Sequence, residues 1–152
     1  MPHVTVDRAT CVEAMRVCAC FNLRRASRAV TRLLDEWLGP GGLRSTQFVT
    51  LVAIQAESAP TLPRLARSLG VDRSTLTRSL APLERSGLVA IKVTGPTRTA
   101  TAKITSAGEE ALARCVPLWK AAQSRFEAKV GATNGSKLLV GVAAVSNSAR
   151  NA

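Results

Sequence analysis

The segment 61–104 constrains the fold most strongly, because short apolar periods and chain breakers alternate along it. The stretch LPRLARSLG predicts a short helix, with Thr61 as its N-cap and Gly70 in the left-handed position after its end. Asp72 predicts the N-cap of a second helix, which ends near Ser86. Two short helices therefore follow each other closely, with a three-residue connection between them.

The second of these helices predicts two chemically different faces. Leu76, Leu80 and Leu83 recur at spacings of four and three, the period of one buried helix face. The first two turns instead carry basic and hydroxyl side chains: Arg73, Ser74, Thr75, Thr77 and Arg78. Because Asp72 already fills the cap, we expect the three hydroxyl groups to be free for a binding partner. One face should pack, and the other should recognise a ligand.

Two extended segments complete the motif. Residues 88–94 and 98–104 each predict a strand, and Gly-Pro-Thr between them predicts a turn. Two short helices followed by a β-hairpin is the order of a winged helix-turn-helix. In that motif the second helix enters the DNA major groove with its N-terminal residues. Arg98 is then expected to reach a narrow minor groove, and Arg64 and Lys92 to contact phosphates.

The charge supports an anionic partner. The 152 residues carry a net charge of +11, and segment 61–104 alone holds eight basic residues against two acidic ones. This balance favours nucleic acid first and a membrane surface second. No apolar run approaches the roughly 20 residues that a membrane span needs, and the N-terminal sequence lacks a signal peptide. We therefore predict a cytoplasmic protein with no membrane partner, whose cysteines are thiols.

The flanking regions predict helices. Residues 1–10 are expected to form a loose arm, 11–38 one helix that Gly-Pro-Gly-Gly ends, and 45–57 another. Ser106 and Glu109 predict a capping box at the start of a long helix. Asn134 and Gly135 predict a turn before an apolar last helix. The expected fold is a single domain over 1–152, mainly α with a small β-hairpin wing.

The sequence also resembles a known protein family. DRSTLTRSLAPLERSGLV (72–89) looks like the recognition helix of MarR-family transcriptional regulators, and LPRLARSLGVD (62–72) is similar to the preceding helix and turn. Arg98, six residues before Ile104, matches the wing-tip arginine. CFNLRRASRAVTRLLDEWL (20–38) looks like the family's first helix. The resemblance covers roughly residues 18 to 130.

The resemblance implies a homodimer that binds a near-palindromic operator in double-stranded DNA and acts as a repressor. Residues 11–38 and 106–150 would form the helical dimerisation region, and 45–104 the winged DNA-binding lobe. A small aromatic or acidic effector would bind between the two parts. The candidate lining residues are aromatic, and the alternative role for each is core or dimer packing: Trp37, Phe48, Trp119 and Phe126. Pro96 stands where the family usually has an acidic residue, so Arg98 lacks its usual orienting partner.

The cysteines leave an alternative open. Cys20 lies in a Cys-Phe-x-Leu setting similar to that of the family's organic-hydroperoxide sensors, with Cys18 and Cys11 nearby as resolving thiols. Against this reading, those sensors place tyrosine hydroxyls around the thiol and this chain has no Tyr, which favours Cys20 as a small apolar residue on a helix face. With one histidine, His3, neither a zinc site nor another cofactor is expected.

The sequence also bears on two other classes of protein. No Gly-rich phosphate loop, Gly-x-Ser-x-Gly sequence or carboxylate pair with a histidine is present, so the chain is not expected to be an enzyme. A basic architectural protein without sequence preference remains an alternative, recognised by one salt dependence for all DNA sequences.

Overall fold

A computed structural model describes residues 6–94 and 98–148 of the chain. Within them, helices surround one two-stranded antiparallel hairpin. The elements in chain order are α1 (Arg8–Val17), α2 (Ala19–Leu38), α3 (Ser45–Ala56), α4 (Leu62–Leu69), α5 (Arg73–Arg85), β1 (Val89–Thr94), β2 (Thr99–Ile104), α6 (Ser106–Val130) and α7 (Ala132–Ser148). The expectation of a mainly α fold with a β-hairpin wing is confirmed.

The core joins the winged lobe to the long helices. Aliphatic side chains of the elements from α2 to α6 form most of it, together with Phe48 and Cys115. Its fully buried large members are Leu38, Leu51, Ile54, Leu65, Leu76, Leu80, Leu83 and Cys115. Gly41, in the 3₁₀ turn that ends α2, lies so close to α6 that a Cβ there would be 2.4 Å from the Cys115 sulfur. The lobe and the helices beside it therefore share one packed interior.

The prediction of one helix over 11–38 is wrong, and so is that of a loose arm at residues 8–10, which belong to α1; residues 1–5 of the expected arm lie outside the described residues. Cys18, with φ −67° and ψ 112°, separates α1 from α2. The Asn22 side-chain amide donates to the carbonyls of Met15, Arg16 and Cys18 at 3.0–3.1 Å. A side chain that bonds main-chain carbonyls in this way competes with helix continuation, which apolar periodicity does not reveal.

Two local predictions near α6 and α7 are also corrected. The α6 N-cap is Thr105, whose hydroxyl accepts from the Gly108 N–H and donates to the Gly87 carbonyl, so the cap lies one residue before Ser106. Asn134 and Gly135 lie inside α7, because the chain turns at Gly131, with φ +84°. On α3, the apolar spacing predicts an inner face of Phe48, Leu51, Val52 and Gln55, but Val52 is 39% exposed and Ile54 is buried instead.

The connection between α3 and α4 holds two non-glycine residues in the left-handed region, Ser58 (φ +53°) and Ala59 (φ +65°). Left-handed backbone costs an L-residue roughly 1–2 kcal/mol. Ala59→Gly should therefore raise the free energy of unfolding by about 0.5–1 kcal/mol, less than the full strain because glycine also loses more entropy on folding. Urea denaturation measures this. The control, Ala113→Gly in exposed α6, should lower stability by about 1 kcal/mol; a loss at both positions would contradict the prediction.

Candidate nucleic-acid interface

The start of α5 is organised by the Asp72 carboxylate. It accepts hydrogen bonds from the Ser74 hydroxyl at 2.7 Å and from the Thr75 N–H and Thr75 hydroxyl at 2.8 Å. The Ser74 hydroxyl is the main reason that the pKa of Asp72 lies well below its usual range, followed by the two Thr75 groups. Because these bonds favour the charged form, Asp72 is anionic and the cap is intact at neutral pH.

The hydroxyl groups expected to be free are already bonded within the helix. Ser74 and Thr75 donate to Asp72, and Thr77 donates to the Arg73 carbonyl at 2.9 Å. The expectation of three spare donors is therefore wrong, because the cap uses two of them and helical back-bonding uses the third. Each oxygen still has acceptor capacity, and their contact with DNA remains a prediction.

The two faces expected of α5 are confirmed. Leu76, Leu80 and Leu83 are at most 1% exposed and belong to the core. Arg73 and Arg78 lie exposed on the other side. Within residues 6–94 and 98–148, neither guanidinium pairs with a carboxylate. The structure therefore presents two arginines without acidic partners on a helix whose opposite side is fixed by packing.

The hairpin lies next to this helix in the fold. β1 and β2 pair from Val89 with Ile104 to Thr94 with Thr99. The Pro60 carbonyl accepts from the Ala102 N–H at 3.0 Å, which ties β2 to the chain before α4. Lys92 and Arg98 are exposed, and Arg98 has φ +49°. Pro96, at the expected tip, lies outside the described residues.

Arg64 is the candidate phosphate contact that already has a partner. Its guanidinium forms an ion pair with Glu57 across the α3–α4 connection. The Ser68 hydroxyl, and next Arg64, hold the pKa of Glu57 below its usual range. Arg64 therefore contributes less positive field to a ligand than Arg73 or Arg78, although its side chain is 64% exposed.

The aromatic residues do not form one cleft. Phe48 and Trp119 stack with ring centroids 6.1 Å apart, and Phe48 is only 4% exposed. Trp37 lies under the Arg125 guanidinium, 6.0 Å from its carbon to the ring centroid. None of these three lines either of the cavities described next. The structure therefore brings Phe48 and Trp119 together as packing and places Trp37 elsewhere.

A cavity of about 540 Å³ lies between α2, α3 and the helix-turn-helix. It was missed because its wall is made of small and β-branched residues, which have no distinctive sequence signal. The lining residues are Ser27, Val30, Thr31, Leu34, Ser45, Thr46, Val49, Thr50, Leu69, Val71, Thr75 and Ser79. Two of them, Thr75 and Ser79, belong to α5, so this cavity directly borders the helix that carries Arg73 and Arg78.

The polar part of that wall is anchored on α2. The Ser45 N–H donates to Asp35 at 2.6 Å and is the main cause of the lowered pKa of that carboxyl. The Ser45 hydroxyl is close enough to lower the pKa of Asp35 further, but it forms no hydrogen bond of good geometry and is buried. An apolar cavity with such a hydroxyl suits a mainly apolar ligand with a polar group.

A second, more apolar groove of about 410 Å³ runs between α2, α6 and α7. Phe126 lies in it, together with aliphatic residues of α7. Leu139 is 62% exposed and Val140 72%, and Leu138, Val142 and Val145 are also exposed. An apolar surface of this kind on a single chain is typical of a protein–protein contact.

The cysteines divide into two groups. Cys11, Cys18 and Cys20 are exposed free thiols near the α1–α2 break, and Cys115 is buried in α6. Cys115 is a packing residue, because it is fully buried in the core, and this burial raises the pKa of its thiol. Among the described residues no group of three or more His, Cys, Asp or Glu side chains is arranged to hold a metal ion. In the same part of the chain, none of the helices has the length and apolar character needed to cross a bilayer.

An exposed, cation-bearing helix packed by its leucine face beside a β-hairpin defines a winged helix-turn-helix DNA-binding protein. Residues 43–90 match the model of the MarR family. An uncharacterized HTH-type transcriptional regulator of Bacillus cereus is 32% identical over 106 residues, 70% of this chain and 71% of the relative. The chain belongs to the MarR family, and it is a DNA-binding transcriptional regulator rather than an enzyme.

Solved structures agree with this assignment. The Mycobacterium tuberculosis transcriptional regulator MosR in complex with DNA is 36% identical, with a TM-score of 0.81 over 88% of this chain and 97% of that one. A second crystal structure of M. tuberculosis MosR is 34% identical, with a TM-score of 0.78 over 91% of this chain and 100% of that one.

Proposed function

We propose that the protein is a homodimeric cytoplasmic repressor that binds a pseudo-palindromic operator and leaves it when a small ligand fills the cavity beside α5. The observation that carries this proposal is the pair of arginines on the exposed face of α5, which form no ion pair with a carboxylate among the described residues. Arg73 and Arg78 supply the guanidinium donors that pair with guanine or phosphate. In the same proposal residues 45–104 bind DNA, and residues 11–38 and 106–150 form the dimer.

Specific binding is tested on the duplex upstream of the protein's own gene. Fluorescence anisotropy should show that this duplex outcompetes a scrambled duplex of equal length, by about 10³-fold or more at physiological salt. Equal affinity and one salt slope for both duplexes would instead identify a non-specific architectural protein.

Dimerisation is proposed to cover the apolar groove and the exposed side of α7. A second copy is the occupant that fits, because both surfaces are apolar and continuous through Leu138, Leu139 and Val142. A symmetric dimer that binds successive half-sites of an operator holds its recognition helices about 34 Å apart, one turn of DNA, and this is the spacing expected for the two α5 helices.

Leu139→Glu should convert the dimer into a monomer, because it places a charge in the proposed contact. Light scattering is expected to give about half the molar mass, and operator affinity should fall by at least two orders of magnitude through lost bivalency. Ala56→Glu, at an exposed α3 position outside both the groove and the proposed dimerisation region, is the control for the molar mass. A Leu139→Glu protein that stays dimeric would contradict this interface.

The effector is proposed to be a small, mainly apolar molecule with one polar or acidic group. The cavity volume of about 540 Å³ lies within the range that small-molecule sites occupy. Val30, Leu34 and Val49 supply apolar wall, and the Ser45 hydroxyl supplies an unsatisfied polar group. The aromatic residues predicted from the sequence are not part of this proposed site.

A second candidate is release by oxidation, favoured by the position of Cys18 at the helix break and of Cys20 two residues later. A hydroperoxide would oxidise one thiolate to sulfenic acid and leave as the alcohol; the second thiol would then displace water to form a disulfide. The step would disturb the junction that Asn22 holds together.

One stoichiometric hydroperoxide treatment separates the two candidates. If oxidation is the signal, we expect operator affinity to fall at least tenfold in the wild type and not in Cys20→Ser, as measured by anisotropy. Cys115→Ser serves as the buried-thiol control. Unchanged affinity in the treated wild type would leave ligand binding as the mode of release.

A further inference from the structure

Thr75 occupies a position that neither the cap nor the DNA-binding surface explains alone. Its side chain forms part of the cavity wall. Its hydroxyl donates to Asp72 at 2.8 Å, and the same oxygen lies 3.5 Å from Nη2 of Arg78, one helical turn further on. Thr75 is half-buried, while Arg78 is exposed. One side chain therefore contacts the cavity, the helix cap and an arginine of the DNA-reading face.

The chemistry of this contact has a direction. The single hydroxyl proton of Thr75 is used on the anionic Asp72, so its lone pairs are left to accept, and among the described residues the Arg78 guanidinium is the donor that lies near them. Asp72 is held in turn by Ser74 and by the Thr75 N–H. At 3.5 Å the Arg78 contact is too long to be a strong hydrogen bond, so its main effect is to restrict the rotamers of the Arg78 side chain. The cap thus fixes Thr75, and Thr75 biases Arg78.

We propose that Thr75 is a positioning residue that orients Arg78 for the operator and transmits occupation of the cavity to it. This inference rests on the proposed binding of DNA by α5, and it adds the residue through which that binding is regulated. A group that presses on the cavity side of Thr75 changes its rotamer, which removes both the Asp72 bond and the support of Arg78. Ser79, the other α5 residue in the wall, bonds only the Leu76 carbonyl of its own helix and has no such link.

The positioning role is tested by a double-mutant cycle on operator DNA. Thr75→Val keeps the shape and removes the hydroxyl, and it should weaken operator binding about tenfold with little effect on scrambled DNA. In the Arg78→Ala background the same change should have no more than a twofold effect. Thr75→Ser keeps the hydroxyl and should restore binding to within threefold of the wild type.

Ser74→Ala is the matched control for the cap. It removes another hydroxyl bond to Asp72 but neither lines the cavity nor contacts Arg78. Its effect on operator affinity should therefore be the same with Arg78 and with Arg78→Ala. If Thr75→Val also gives equal losses in both backgrounds, Thr75 acts independently of Arg78, as a cap or as a direct DNA contact, and the inference is overturned.

The cavity link is tested by a built-in occupant. Val49→Trp adds an indole to a residue of the α3 wall and should weaken operator binding at least fivefold, while Val52→Trp, on the same helix outside the cavity, should not. Combined with Thr75→Val, the Val49→Trp effect should fall below twofold. Additive effects, or no effect of Val49→Trp, would overturn the transmission; Thr46→Phe repeats the test if Val49→Trp melts early.

The two levels of the proposal fail differently. If the wild type shows no specific binding and Arg78→Ala binds DNA with the same affinity as the wild type, the proposed function is removed. Specific binding that depends on Arg78 but shows no coupling to Thr75 removes only this inference.

Discussion

Arg78→Ala is expected to weaken operator binding by about 1–3 kcal/mol, roughly 5- to 150-fold, because a bidentate arginine–guanine pair contributes that much discrimination. The structure supports the prediction, because the guanidinium is exposed, has no acidic partner among the described residues, and lies on a helix fixed by three buried leucines. Competition anisotropy with operator and scrambled duplexes measures the effect.

Arg85→Ala is the matched control, since it removes an exposed arginine from the last turn of the same helix. It should change operator affinity less than threefold, because N-terminal residues of a recognition helix contact the bases. An equal loss on operator and scrambled DNA for Arg78→Ala would make Arg78 a phosphate contact. No loss on either would remove α5 as the reading helix.

Gly108→Ala is expected to lower the free energy of unfolding by about 3 kcal/mol, the upper part of the range for overpacking. A Cβ at this position would lie 2.2 Å from the Leu88 carbonyl oxygen and 2.7 Å from Ile104 Cγ1. That carbonyl is held in place by the Thr105 N–H at 3.1 Å. Helix propensity alone predicts the opposite sign, since alanine stabilises a helix interior by about 1 kcal/mol relative to glycine.

Urea denaturation followed by circular dichroism measures the change at Gly108. Gly141→Ala is the control, because it lies in the helical backbone of α7 and its added Cβ meets no atom outside its own helix within 4 Å; it should raise stability by up to about 1 kcal/mol through helix propensity. A stabilised Gly108→Ala protein would mean that α6 does not start against Leu88.

The sequence predicted what local chemistry decides. Asp72 and Thr61 are caps, Gly70 is left-handed with φ +66°, and the leucines of α5 are buried, because each follows from neighbours a few residues away. The α1–α2 break needed Asn22 to reach back to Met15, seven residues earlier, and apolar spacing carries no trace of that bond.

The site shows the same limit. Arginines on α5 could be assigned from the sequence, since exposure follows from helical period. The bonds of Ser74 and Thr75 to Asp72 could not, because hydroxyls serve equally as caps and as ligand contacts. The cavity could not be predicted from the sequence either. Its wall is formed by α2, α3 and α5 only after folding, from residue types that are common in helices.

Thr105 joins the ends of three elements. Its hydroxyl bridges the Gly87 carbonyl after α5 and the Gly108 N–H of α6, at 2.6 and 3.1 Å, while its own N–H holds Leu88 at the base of the hairpin. These hydrogen bonds thus fix the end of α5 and the base of the hairpin to the first turn of α6. In the proposed dimer, a small change in the angle between the two α6 helices would therefore change the distance between the two α5 helices along the duplex. The half-site spacing that the protein tolerates is then a mechanical property of α6.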